Sequence, residues 1–449
     1  MFLNWFSDPH AVWWSARPPG VFLPVSVCTM QAFTYISPLT NSHSQAKFSF
    51  HKRTMAALMS GAVGACNTST AASSAALSRF GFSLFANLCH ATPAHNVVLS
   101  PLVVAGALSM AVAGATAGGK TEQELLGLLG LSTHADFAVL TSAVLASSGA
   151  SVSAANGIFT RAAVRPDFVA LVRSAHGAYA DKLGSSYGPI NQWVSEKTQG
   201  HIRDLLSDPV DPLTVAVLVS AVFFKGSWAT KFDAALTTAS VFSALDGRAL
   251  PAMMMRRSGT LHASASVDEL AGAAAVRLDY GAGDGPHDFC ALLVLPPEPG
   301  ATALAATVLA MSSGGASGTA MLSRLHPQRV DLELPRLKAE YGAASLKVAL
   351  RSLGLVESFD GHGGFLGLSE DEAVRIDDVM TKAMMEVDEE GTTAAAAAAV
   401  IMRTKSAAAP RPPLRLAFDR PFVMAVLHVP TGVPLFVAQL NEPAVPAVA

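Results

Sequence analysis

Three segments far apart in the chain, Val215–Phe224, Phe289–Leu295 and Phe422–Val429, are apolar at almost every position. A strand with one wet face alternates polar and apolar residues, so an unbroken apolar strand must be covered on both sides. The chain therefore builds sheets packed between other layers, from strands that lie far apart in sequence. Such non-local pairing predicts one large cooperative unit rather than a string of small domains. Val330-Asp-Leu-Glu-Leu334 alternates with period two, one face buried. The Phe422 strand runs into Pro430-Thr431-Gly432 and then Val433–Leu440, the pattern of a hairpin.

Helical spacing is also legible. Leu77, Phe80, Leu84 and Leu88 make one stripe within 76–88. Ile190, Trp193, Val194 and Ile202 make another over 190–202, opened by Pro189. A third, Leu346, Ala349, Leu350 and Leu353, is stopped by Gly354. Helices and strands mix without a regular βαβ alternation, so the fold class is α+β. Apolar residues are 51% of the chain and charged residues only 14%. That composition excludes a disordered tail or a disulfide-stapled mini-scaffold. A net charge of −3 with no basic stripe argues against a nucleic-acid partner. No run of about 18 uninterrupted apolar residues marks a membrane span, so no membrane partner is expected.

Residues 1–66 read differently. Trp5, Trp13 and Trp14 sit in no periodic pattern, and Asp8 is the only acid against Arg17, Lys47, Lys52 and Arg53. Acid-poor, Ser-rich leaders are like organellar transit peptides, although two Arg are few, and Met55 offers a second start. The extension is read as disordered and outside the fold, with 67–449 as a single domain. Cys28 and Cys66 fall in the leader, leaving Cys89 and Cys290, too few for a disulfide framework. Asn67-Thr68-Ser69 is a glycosylation acceptor pattern that matters only in a secreted chain.

Three motifs mislead. Gly114–Thr121 matches the phosphate-cradling G-x-x-x-x-G-K-T, which needs a strand before it and a helix after it; Leu102–Ala113 could pass for that strand. Gly and Ala are so common here that chance matches are cheap. Gly184-Ser-Ser186-Tyr-Gly188 fits a nucleophile elbow, but Asp181-Lys182 stands where a buried strand is needed. Cys89, His90 and His95 lack the second half of a metal cluster.

The informative stretch is 386–413. Glu389, Glu390 and Gly391 precede Thr392 and Thr393, then Ala394, Ala395, Ala396, Ala397, Ala398 and Ala399. Val400-Ile-Met402, Arg403-Thr404-Lys405-Ser406 and Ala/Pro-rich sequence follow. An alanine run by itself is a helix former or a linker. Here Gly391 supplies a pivot, every side chain from Thr392 to Ala399 is small, and the basic pair sits in a proline-flanked exposed stretch.

With this segment in place the chain resembles a serpin, specifically a plant Z-type serpin, over roughly 70–443. The resemblance rests on separated motifs in the right order: Asn96-Val-Val-Leu-Ser100-Pro101; Asn191-Gln-Trp193 with Thr198-Gln-Gly200 and Ile202; Phe223-Phe-Lys-Gly226-Ser-Trp228 with Phe232; and Leu334-Pro335. Then come Glu389-Glu-Gly391-Thr392 with the alanine run, Asp419-Arg-Pro421-Phe422, and Pro434-Leu-Phe436 with Asn441 and Pro443. It implies three β-sheets, about nine helices and an exposed reactive-centre loop near 389–415.

It also implies a suicide inhibitor rather than an enzyme: a protease cleaves the loop, an acyl-enzyme forms, and the cut loop inserts into the main sheet. Counting as the family does from Glu389 and Gly391 places the scissile bond at Lys405–Ser406, with Arg403 as second choice. Lys at that position implies trypsin-like serine proteases as partners, with Arg/Lys-specific cysteine proteases beside them. From Thr392 to Lys405 an extended strand spans about 45 Å. Its alternate residues Thr392, Ala394, Ala396, Ala398, Val400 and Met402 carry no charge into a core. In the sheet-opening region, which includes Ser100, the family's hydrogen-bonded Ser, Asn and His are replaced by Val103, Ser220 and Thr381. A non-inhibitory binding or storage serpin is the alternative. A monomer is expected, with no cofactor or metal. The compartment is extracellular by resemblance, or cytosolic for want of a clear signal peptide.

Overall fold

The structure, a computed structural model, describes residues 70–145, 147, 150–282, 286–313, 317–361, 364–392 and 412–443. The expectations for 1–66 and Asn67, and for Thr393–Ala399, Arg403, Lys405 and Ser406, lie outside the described residues.

The main sheet has the order Leu337–Ser345, Asp378–Val387, Ala216–Ser227, Ala150–Thr160, Tyr179–Lys182. The central strand Ala216–Ser227 is antiparallel to Ala150–Thr160 and parallel to Asp378–Val387. Its side chains alternate between two cores, as a doubly covered strand requires. Leu218, Val222 and Phe224 join the large core, while Val217, Val219 and Ala221 join a smaller one under helix Gly188–Lys197.

The remaining strands form a nine-stranded network. The second and third expected sheets are joined in it by the 19-residue strand Ala249–Val267. The start of that strand pairs with Thr238–Ser243 and its end with Ala273–Tyr280. The apolar segments behave as read: Phe289–Leu295, Phe422–His428 and Pro434–Leu440 are buried at every residue, and the last two form the expected hairpin. The period-two segment lies in strand His326–Pro335 with Val330, Leu332 and Leu334 buried.

Helix Pro101–Gly114 is buried at every residue but Ala113, and its sequence is apolar all round because it runs through the core. This removes the phosphate-cradle reading. A helix precedes Gly114 where a strand is required, and Lys120 is paired with Glu357. Helix 70–91 extends the first predicted stripe. The second stripe is shorter than read: the helix ends at Lys197, and Ile202 packs in the small core beyond it. By length and composition Lys120–Val144 could cross a membrane. It is instead split at Gly130, which is left-handed, into helices Lys120–Leu129 and His134–Leu145.

Candidate functional site: the hinge and seam of the main sheet

The chain leaves strand Asp378–Val387, turns at 388–390 and returns as the two-residue strand Gly391–Thr392. Asp388 builds the turn. Its Oδ1 accepts from the N–H groups of Glu390 (2.9 Å) and Gly391 (3.1 Å), and its own N–H donates to the Gly391 carbonyl at 2.9 Å. Burial pushes the Asp388 carboxyl above its ordinary range, against those two N–H bonds. Gly391 has φ +147°, and a Cβ on it would sit 2.2 Å from the Gly226 carbonyl oxygen. No other residue fits that approach.

Glu389 anchors the turn. It is 6% exposed, accepts from Arg336 Nε at 2.8 Å on both oxygens, and accepts from Thr237 Oγ1 at 2.5 Å. Burial pushes this carboxyl up, but the Arg336 and Thr237 bonds together outweigh it, and it ends below the ordinary carboxylate range. Glu390 pairs with Lys231. Trp228, from the Phe223–Trp228 motif, completes the clamp. Its indole Nε1 donates to the Asp388 carbonyl at 2.9 Å, its backbone N–H donates to the Glu390 carbonyl at 2.9 Å, and its ring stacks on Tyr280 at 4.5 Å.

The returning strand pairs antiparallel with the central strand, Gly391 opposite Ser227 and Thr392 opposite Gly226. At Gly226 the other edge of the central strand is already taken by Ala150. The hinge therefore occupies the same edge as Asp378–Val387. Lower down that edge is closed by seven register pairs, from Asp378↔Val217 to Met384↔Phe223. The central strand changes partner between Phe223 and Gly226, and everything below is a zipped seam.

On the core-helix face of this seam Ser220 lies opposite Thr381, and Asn156 lies opposite Ser220 on its other side. Ser220 and Thr381 are each 1% exposed. Asn156 was not singled out from the sequence, because only the register of a distant strand brings it into the row. Its Oδ1 is buried without a hydrogen-bond partner, and its Nδ2 would be 2.5 Å from a Cβ on Gly106. Val103 stands one turn before Gly106 on the same helix. Ser100 is not part of this row; its Oγ donates to the Leu435 carbonyl at 2.6 Å, tying the helix start to the nine-stranded network.

The opposite face is strapped. His201 stacks on Phe223 at 3.6 Å and 10°, and Lys382 Nζ donates to the Asp204 carbonyl at 3.3 Å while pairing with Glu340. The segment after helix Gly188–Lys197 thus touches both sides of the seam. The nucleophile-elbow reading fails here. Ser186 is exposed and its Oγ donates to Asp208 at 2.7 Å, with strand Tyr179–Lys182 a four-residue edge before it. Of Cys89, His90 and His95, set aside above as an incomplete metal cluster, Cys89 is buried and His90 exposed, and among the described residues no group of three His, Cys, Asp or Glu could hold a metal.

The family profile described as Serpin (serine protease inhibitor) matches residues 75–443. Iripin-3 of Ixodes ricinus is 32% identical over 373 residues, covering 79% of this chain and 91% of that protein. Serpin-Z2A of Triticum aestivum is 30% identical over 393 residues, covering 81% and 95%. The similarity is therefore not confined to plant members. Human thyroxine-binding globulin complexed with thyroxine superimposes with a TM-score of 0.72 at 22% identity, covering 83% of this chain and 99% of that one.

Proposed function

The chain belongs to the serpin family, and on that premise we propose that residues 67–449 form an inhibitor that traps trypsin-like proteases by inserting its cleaved loop into the seam. The observation that carries the reading is the register already begun at the hinge. Continued from Thr392↔Gly226, it sets Ala394, Ala396, Ala398, Val400 and Met402 opposite Phe224, Val222, Ser220, Leu218 and Ala216. Gly391–Met402 then matches the twelve residues of the central strand, Ala216–Ser227, end to end. The uncharged run ends where the sheet ends, and Arg403 and Lys405 emerge beyond it. Every residue that must be buried is small or apolar, so insertion leaves no unpaired charge in the core.

Cleavage at Lys405–Ser406 leaves the protease acylated on the Lys405 carbonyl, at the far end of the inserting strand. Lys405 suits a protease with an acidic specificity pocket, and Arg403 is the second choice. Ser220 and Thr381 are one of the seven pairs that separate as the seam opens.

Mixing the protein with trypsin tests the proposal. A covalent complex stable in SDS, with Lys405–Ser406 as the mapped bond, is expected; cleaved monomer alone would overturn it. Arg/Lys-specific cysteine proteases are the second panel.

A non-inhibitory carrier is the second reading, favoured by an apolar groove of about 390 Å³ between helix 70–91 and helix Ala301–Ser312. Ala86, Leu304, Val308 and Leu309 line it, with Gln439 as a polar group. The thyroxine complex of the structural relative gives that reading its precedent. Cleaved monomer together with saturable binding of a flat apolar ligand would select it.

A further inference from the structure

His134 opens helix His134–Leu145 and His176 closes helix Pro166–His176. Their ring centroids lie 5.7 Å apart at 44°, and Phe137 stacks on His176 at 6.3 Å. Nδ1 of His134 and both ring nitrogens of His176 are buried without a hydrogen-bond partner. Buried polar atoms ordinarily find partners, so three orphaned nitrogens on two touching rings call for an explanation. The inhibitory reading makes no use of them.

We propose that His134 and His176 form a two-imidazole site for a late first-row divalent cation such as Zn²⁺, Co²⁺ or Cu²⁺, with water completing the coordination shell. Metal–imidazole bonds of about 2.0–2.1 Å put the centroids of two rings sharing one tetrahedral ion about 5–6 Å apart. The observed spacing falls in that range. Imidazole favours these ions over Mg²⁺ and Ca²⁺, which take oxygen ligands.

Binding requires the neutral ring, and the surroundings keep it neutral. Burial, with His134 beside it, holds His176 down at about 4. Burial also lowers His134, against the opposing pull of Glu122 and Asp136. Those carboxylates are already engaged. Glu122 accepts from the Gly118 N–H at 2.6 Å, and Asp136 from the N–H groups of Ser132 and Thr133 at 3.1 and 2.9 Å. They supply a negative field for a dication rather than ligands. A bound ion would tie together the ends of two helices that pack on the buried helix Pro101–Gly114, where Ser109 Oγ already donates to the His134 carbonyl at 3.4 Å.

The test is titration of the full chain, stripped with a chelator, with Co²⁺ followed by its visible absorption. Wild type should take up one Co²⁺ that His176→Ala and His134→Gln each bind at least tenfold more weakly, and Zn²⁺ should displace it while Mg²⁺ does not. Because burial lowers both rings, uptake should persist below the pH at which ordinary histidines are protonated. Equal uptake by wild type and both variants would assign the ion to other histidines, such as His10, His43 and His51, and overturn the proposal. No uptake by wild type would overturn it as well. Far-UV circular dichroism verifies that each variant is folded, and His134→Gln, at a helix start, keeps the test decisive where His176→Ala fails to fold.

Discussion

Replacing Ala398 by glutamate tests the register on which the inhibitory reading rests. With the strand inserted and the Thr392↔Gly226 register continued six residues in opposite directions, Ala398 would come level with Ser220. There it would face the core helix near Val103 and Gly106, beside Thr381 and Asn156, and none of these offers a cation. The carboxylate must then be protonated to enter. Taking a glutamate from its ordinary pKa of about 4.3 to the neutral form at pH 7 costs roughly 3.7 kcal/mol before any loss of hydration. If the transition state for insertion feels half of this, insertion slows about 20-fold; if it feels all, about 500-fold. Deacylation by water is unchanged, so the partition moves from trapping to turnover. The assay is the stoichiometry of trypsin inhibition together with the yield of SDS-stable complex, with Ala407→Glu on the leaving side of the scissile bond as the control. Ala398→Glu should be cut at the same bond yet give at least tenfold less complex. At pH 5 the protonation cost falls to about 1 kcal/mol, and complex should partly return. Wild-type stoichiometry for Ala398→Glu at pH 7 would refute the register.

Gly391→Ala should strain the hinge by about 1–3 kcal/mol, because its Cβ meets the Gly226 carbonyl oxygen at 2.2 Å; faster amide exchange at Trp228, with the sheet below unchanged, is the expected result. Glu389→Gln exchanges a charge-assisted bond to Arg336 for a neutral one and should weaken the hinge by about 1–2 kcal/mol. Trp228 fluorescence reports it, since the indole donates to the Asp388 carbonyl. Because the Glu389 carboxyl is held below its ordinary range, its contribution is complete above the unfolded pKa and is lost as pH falls through the folded value. His176, held at about 4, likewise stabilises the fold fully above its unfolded pKa of about 6.5 and loses that contribution as pH falls toward 4. Denaturation profiles of the metal-free protein should therefore steepen in that window, and His176→Phe should flatten them.

The apolar strands, the alternation at 330–334 and the final hairpin were legible because each is a local pattern that burial imposes on one segment. Glu389 and Gly391 were singled out by resemblance, and the structure shows what each does in the turn: Glu389 makes a partly buried ion pair, and Gly391 makes a backbone approach with no room for a Cβ. Asn156 was not legible, since its place beside Ser220 depends on pairing strands some sixty residues apart. Asp388, Arg336 and Thr237 were missed for the same reason: one reads as one acid among several, and the others lie far from the hinge in sequence. Ser100 was grouped with the seam through its neighbour in sequence, whereas the helix start turns it toward Leu435.

On the inhibitory reading the hinge and the seam divide the work of keeping the main sheet closed. Among the described residues two register pairs seat the hinge on the central strand, while seven close the edge below it. Past Lys225 and Phe224 the strand advances only if the Met384↔Phe223 pair parts, and that pair is also where His201 stacks. On the inhibitory reading the barrier to insertion therefore lies in the seam and its strap rather than in the clamp at Glu389. Below the top pair the seam crosses the row of Asn156, Ser220 and Thr381, whose short side chains part at less cost than a fully connected buried network would. On the inhibitory reading, small groups at that level weaken the hold on the closed sheet. On the same reading the alanine run is the complement of that weak hold, since opening traps a protease only if nothing in the incoming strand stalls behind it.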